Sequence, residues 1–140
     1  MPSNLFPYGV RLVDPADIAV LNTYALTSLN QTTGTIPAGV ITGGLEVFCV
    51  QGNATPGTQT TRTALQLYAD DPTSHPGNSY LLRIINTGAG TITLAGGTGV
   101  TVNGTATVAT NITRDYIVAI TGTPGAPVYT ITSVGSGVSP

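Results

Sequence analysis

The residues that decide the fold of this chain are 80–95, which read YLLRIINTGAGTITLA. Leu82 and Ile84 alternate with their neighbours in the first half, and Ile92 and Leu94 alternate with threonine or alanine in the second. A period of two sends successive side chains to opposite faces of a strand. The stretch therefore predicts two short strands, and the Asn-Thr-Gly-Ala-Gly segment between them has the composition of a tight hairpin turn.

The same alternation continues on both sides of this stretch, from Ile36 onward. Short strands between clusters of turn residues are typical of sandwiches and barrels. We therefore predict an all-β domain over residues 36–140, either a small antiparallel β-sandwich or a jelly-roll-like barrel. The predicted strands lie near Leu45–Val50, Tyr80–Asn86, Thr91–Ala95, Val100–Val102, Thr105–Val108, Thr113–Thr121 and Val128–Val134. The predicted inward positions are Val47, Cys49, Leu82, Ile84, Ile92, Leu94, Val100, Val102, Ala106, Val108, Tyr116, Val118, Ile120, Tyr129 and Ile131.

The connecting segments carry their own signals. Asn103-Gly104 predicts a second hairpin turn, because Asn-Gly accepts the positive φ that such turns require. Gly52–Thr61 contains no large apolar residue and predicts a surface loop. Ala64–Ala69 fits a strand or a short helix capped by Thr63, and we favour a helix that covers one end of the domain. Gly96–Gly99 joins two Thr/Val strands, so turn chemistry explains it better than a phosphate loop, which leads into a helix.

Residues 1–35 predict an extended N-terminal arm. Its apolar residues are interleaved with Pro2, Pro7 and Gly9, which disfavours a central strand. Asp14 could cap one short helix near 14–29, and a further extended arm remains an equal alternative. Such an arm buries little against itself, so we expect it to contact another polypeptide. The predicted contact residues are Leu5, Phe6, Tyr8, Val10 and Leu12.

A second predicted contact surface lies on the strand at 80–86. Leu81 and Ile85 flank Arg83 on the face opposite the core. An apolar pair around a lone charge suggests a covered surface, such as a contact between subunits of a trimer. Coverage by the chain's own arm or short helix is an equally good alternative.

Charge is scarce in this chain. Only 7% of the 140 residues are charged, with four arginines, six acids and a net charge of −2. This leaves no basic patch for nucleic acid. No stretch resembles a signal peptide or a membrane-spanning segment. A surface so poor in charge is a solubility risk for a free monomer, which favours a protein covered by partners.

The sequence offers little chemistry, so we predict no enzyme, no catalytic residue, no metal and no cofactor. His75 is the only histidine and lies in a loop rich in proline and glycine. Zinc would need further nitrogen or sulfur ligands, and the alternative is a weak calcium contact at Asp70 and Asp71. Cys49 is the only cysteine, and its apolar strand predicts a buried thiol.

Residues 80–102, continuing through 104–108 and 114–118, resemble the β-domain of head decoration proteins of tailed phages, including those of cyanobacterial phages. The resemblance covers roughly residues 63–134. It implies a virion protein, often trimeric, that sits on the capsid exterior and braces neighbouring major capsid proteins, with no catalytic residues. The alternative function is a tail-fibre, spike or adhesin module that binds host carbohydrate, and the lack of tryptophan makes it the weaker hypothesis.

Overall fold

The computed structural model describes residues 24–29, 31–42, 46–71 and 74–138. This part of the chain is mostly β, with ten strands and one short helix. The strands are β1 (Tyr24–Ser28), β2 (Gly34–Thr35), β3 (Glu46–Gln51), β4 (Gly57–Thr60), β5 (Ser79–Asn86), β6 (Ile92–Ala95), β7 (Val100–Asn103), β8 (Thr107–Val108), β9 (Ile112–Thr123) and β10 (Ala126–Val138), and the helix is α1 (Ala64–Asp70).

The strands form two mixed sheets. The larger sheet has six strands in the order β1-β3-β5-β9-β10-β7, and the smaller has four in the order β2-β4-β6-β8. Five of the strand pairings are parallel and three are antiparallel. The prediction of a β-rich fold is confirmed, but the prediction of antiparallel sheets is wrong.

The parallel pairings come from a repeated path of the chain. Three times in succession the chain runs along a strand of the large sheet, bends, and continues in the small sheet, as β1 to β2, β3 to β4 and β5 to β6. Each strand of one coil pairs in parallel with its counterpart in the next coil. This part of the fold therefore resembles stacked coils of a β-solenoid. The long hairpin of β9 and β10 then completes the large sheet.

The predicted hairpins at 86–90 and at Asn103-Gly104 are wrong for the same reason, because both segments connect strands of different sheets. The glycines at 86–90 serve close stacking of coils instead. A Cβ on Gly88 would lie 2.1 Å from the carbonyl oxygen of Asn53, and one on Gly90 would lie 2.2 Å from that of Thr55. Only glycine permits this approach of two backbones, and it requires no hairpin.

The prediction of a surface loop at Gly52–Thr61 is also wrong, because this segment contains β4. The inward position of this strand is filled by Gln59, which is only 1% exposed. Its amide nitrogen donates to the carbonyls of Gln31 at 2.8 Å and Thr32 at 2.9 Å. Backbone carbonyls satisfy the buried side-chain amide of this glutamine, so β4 needs no apolar residue at its inward position. Hydrophobic periodicity therefore does not reveal this strand.

The helix proposed near 14–29 is wrong over its last part, because residues 24–28 form β1. This strand pairs along its whole length with β3, from Tyr24 opposite Glu46 to Ser28 opposite Val50. Tertiary pairing here overrides the weak helical spacing of apolar residues. Residues 24–28 and 34–35, assigned to the arm by sequence, thus supply a strand to each sheet. Residues 1–23 lie outside the described part.

The core lies between the two sheets. All the predicted inward positions are buried except Val102 and Ala106, which are half-buried. Helix α1 begins as predicted, with the hydroxyl of Thr63 accepting from the backbone of Gln66 and the Gln66 side chain accepting from the backbone of Thr63. It buries Ala64 and Leu67 against the core. No helix in the described ranges is long and apolar enough to cross a membrane.

Candidate functional site

The outward-facing side of the six-stranded sheet carries a group of large side chains that the described part of the chain leaves partly exposed. Alternation places them there, because their neighbours on the same strands point into the core. We call this surface the outer face and define it by Leu26, Phe48, Val50, Leu81, Arg83, Ile85, Thr113, Asp115 and Ile117. Leu26 is 67% exposed and Ile117 38% exposed.

One row of residues crosses the centre of the outer face. Strand register aligns Leu26, Phe48, Arg83, Asp115 and Gly135 from β1 to β10. The Arg83 guanidinium donates to both carboxylate oxygens of Asp115, from Nε at 2.7 Å and from Nη2 at 2.8 Å. The same guanidinium lies 5.6 Å from the centre of the Phe48 ring. The arginine is thus fixed from two sides, as planar guanidinium groups allow.

The electrostatics of this row come mainly from its own ion pair, with a smaller contribution from Glu46 on the same side of β3. The hydrogen bond to Asp115 raises the pKa of Arg83, so the guanidinium stays charged at any ordinary pH. Arg83 and Asp115 neutralise each other, since their charges are opposite and in direct contact. The centre of the outer face is therefore charged but has no net charge.

A groove borders this row on the β10 side. It has a volume of about 450 Å³ and is lined by Arg83, Ile85, Thr113, Asp115 and residues 135–138 of β10. β10 is irregular between Ser133 and Gly135, where its register with β9 shifts. Beyond this point Gly135 and Gly137 have open space where a side chain would stand. The groove exists because glycines replace the side chains that would fill that part of the face.

The structure brings together three of the predicted contact residues. Leu81, Arg83 and Ile85 lie side by side on the outer face, each half-buried. The other predicted contact residues, Leu5, Phe6, Tyr8, Val10 and Leu12, lie outside the described residues.

Sequence reasoning missed several members of the outer face, namely Leu26, Phe48, Val50, Thr113, Asp115 and Ile117. The signal for Phe48 and Val50 was present, because both alternate with predicted core residues. The pairing of Asp115 with Arg83, which is 32 residues away, depends on strand register. Arg114, the neighbour of Asp115 in the chain, instead donates to the carbonyl of Thr107 at 2.8 Å.

Other polar groups have structural partners. Asp70 forms an ion pair with Arg62 at 2.8 Å, between carboxylate and guanidinium. Within the described ranges, no three His, Cys, Asp or Glu residues cluster in a way that could hold a metal ion. Cys49 is buried as predicted, and burial raises the pKa of its thiol. A thiol of this kind is a poor nucleophile.

Three of the tyrosines that the structure describes are buried in the core. Tyr80 donates its hydroxyl to the carbonyl of Ile41 at 2.7 Å. Burial raises the pKa of Tyr80, of Tyr129 and of Tyr116, the last to about 12. These phenols are therefore neutral parts of the core.

Comparison of the chain with protein-family models, curated proteins and solved structures gives no match. The proposed function therefore rests on the geometry of the outer face and on the sequence.

Proposed function

We propose that this protein is a capsid decoration subunit, located on the virion exterior, that binds the major capsid protein and stabilises contacts between its copies. The observation that carries the proposal is the outer face, where apolar side chains surround one ion pair on a charge-poor β-rich protein. Apolar groups that lie together at least partly exposed, as Leu26, Phe48 and Leu81 do, are typical of surfaces that contact other proteins. The resemblance of residues 63–134 to phage head decoration domains supplies the class of partner.

A decoration subunit must be stiff to brace its neighbours. We propose that the two sheets, packed through one core, act as a sandwich-like platform for this purpose. Stacked coils pair every strand of one coil with the next, and the β9–β10 hairpin spans twelve registered residue pairs. Extensive pairing of this kind resists local opening.

The low charge of the protein supports the same function. With four arginines and six acids on 140 residues, the surface has few groups that repel a neighbouring subunit or bind strongly to water. A densely covered particle surface brings many copies close together, and weak self-repulsion favours that arrangement. The proposed protein is accordingly not an enzyme and requires no cofactor.

The N-terminal arm is the proposed attachment to the capsid. Its five predicted contact residues, Leu5, Phe6, Tyr8, Val10 and Leu12, contribute about 1.5–3 kcal/mol each when fully buried, before the cost of ordering the arm is subtracted. Multiplied over many sites on a particle, even a small remaining gain would resist outward pressure.

The test is co-sedimentation with capsids that lack the protein. The full chain should bind until the capsid sites are saturated, while a variant without residues 1–13 should remain folded by circular dichroism and stay in the supernatant. Binding that survives the deletion would reject the arm as the attachment. Failure of the full chain to bind capsids, together with binding on a glycan array, would favour the tail-fibre or adhesin function instead.

A further inference from the structure

The outer face has a pattern that fits a second copy of itself. In a twofold interface, residue i of one copy contacts residue j of the other, and j contacts i in return. A face that fits itself in this way needs opposite charges, and large and small side chains, at symmetry-related positions. The outer face provides both on either side of one line, which runs between β5 and β9.

The positions of Arg83 and Asp115 define this line between β5 and β9. Arg83 lies on β5 and Asp115 on β9, at directly opposite positions in the register. A twofold axis parallel to the strands, halfway between β5 and β9, places Arg83 of one copy over Asp115 of the other. Both guanidinium groups then meet both carboxylates, and four charges of alternating sign form a neutral cluster. Like charges meet when the axis is moved onto either strand, which opposes association.

The same axis also places large side chains of one copy over glycines of the other. Phe48 lies one strand outward from Arg83, and Gly135 lies one strand outward from Asp115. The axis therefore places the Phe48 ring of one copy over the glycine floor of the groove in the other. In the next row, Val50 comes over Gly137 by the same operation. The open space above both glycines is what an opposing aromatic or branched side chain would fill.

We infer that the outer face binds the outer face of a second copy of this chain, related by a twofold axis between β5 and β9. The remaining central contacts under this operation are Leu81 on Ile117 and Ile85 on Thr113, which are apolar or nearly so. The inference does not depend on the proposed attachment to capsids, because that attachment is assigned to the N-terminal arm and the outer face is assigned to a neighbouring copy.

The available area suits a weak pair. The operation overlays β3, β5, β9 and β10, so a strand spacing of about 4.8 Å and a residue spacing of about 3.3 Å give the three rows a footprint of about 400 Å² per copy. Two copies together cover about 800 Å², which is below the size of stable interfaces, so the pair should form only at high protein concentration. Sheets that pack face to face lie about 10 Å apart and cross at about 30°, so the match is closest near the axis.

The first measurement is the mass of the full chain in solution by light scattering across a concentration series. The expected mass at high concentration is twice the 14.1 kDa of one chain. The mass of a single chain at every concentration would overturn the inference. A mass of three chains would overturn the twofold arrangement in favour of the threefold assembly implied by the resemblance.

The second measurement fills the groove. Gly135→Leu and Gly137→Leu add side chains into open space, and neither glycine has a positive φ, so both variants should fold. Each should weaken self-association at least tenfold. Gly125→Leu is the matched control, because Gly125 also faces open space but lies in the turn between β9 and β10. Self-association unchanged in both groove variants would overturn the inference.

The third measurement tests the position of the axis. Arg83→Asp alone should reduce the mass to one chain, because the centre of the interface would then hold four carboxylates and no guanidinium group. The double exchange Arg83→Asp with Asp115→Arg restores opposite charges both within and between copies, so the mass should return to two chains. A double variant that folds, as checked by circular dichroism, yet remains a single chain would overturn the charge pairing across the axis.

Discussion

Replacing Asn86 tests how the bends between the two sheets are stabilised. Asn86 is fully buried at the end of β5, where the chain turns toward the small sheet. Its amide nitrogen donates to the carbonyls of Gly90 at 2.8 Å, Val108 at 3.0 Å and Ala109 at 3.2 Å, and its side-chain oxygen accepts from the backbone of Gly88 at 2.9 Å. One side chain thus contacts four backbone groups from two segments.

The size of the effect follows from these contacts. Asn86→Ala removes the side-chain partner of one backbone N–H group and of three carbonyls, and a buried polar group without a partner costs about 1–3 kcal/mol. Because each carbonyl has a second lone pair and water can enter part of the space left behind, we expect a total loss of about 3 kcal/mol. For a domain of this size, that loss corresponds to a fall in Tm of about 10 °C.

The assay is urea unfolding followed by far-ultraviolet circular dichroism, supported by a thermal melt. Asn103→Ala is the matched control, since Asn103 is exposed at the end of β7 and should change the free energy of unfolding by less than about 0.5 kcal/mol. Equal stability of the two alanine variants would refute the account of the bends.

Three further predictions follow from other groups. Cys49 should not react with a thiol reagent in the native protein at pH 8 and should react fully in denaturant, because burial raises its pKa and blocks access; rapid native labelling would contradict this. Thr63→Ala should lower the free energy of unfolding by about 1 kcal/mol through loss of the capping box, whereas Thr105→Ala, at an exposed position, should have no measurable effect. Burial raises the pKa of Tyr80, Tyr116 and Tyr129. Their contribution to stability is therefore complete below the unfolded pKa near 10 and is lost as the pH rises toward the folded values. An alkaline titration should show these phenols ionising together with unfolding, and reversible ionisation in a folded protein near pH 10 would contradict this.

The strands with apolar alternation were predictable from sequence, and so was the core. Leu82, Ile84, Tyr116 and Val118 occupy inward positions because period two leaves no other way to bury them. Helix α1 was predictable from Thr63 and Gln66, whose side chains satisfy its first backbone groups.

The order and direction of the strands were not predictable by the same reasoning. Glycine at positions 88 and 90 looks alike whether it serves a hairpin turn or the close stacking of two coils. β4 is hidden because Gln59 replaces an apolar residue at its inward position. The candidate site was predictable only in part, since alternation gives the face of each strand, whereas the contact between Arg83 and Asp115 depends on register over a long sequence separation.

If the protein is a capsid decoration subunit, a virus encodes it, and the most direct test is quantitative mass spectrometry of purified particles of that virus. If the protein decorates the capsid, its copy number should be a fixed and substantial fraction of that of the major capsid protein, and the two should separate only when the particles are disrupted. Absence from the particles, or only the few copies expected of a tail component, would contradict the proposed function.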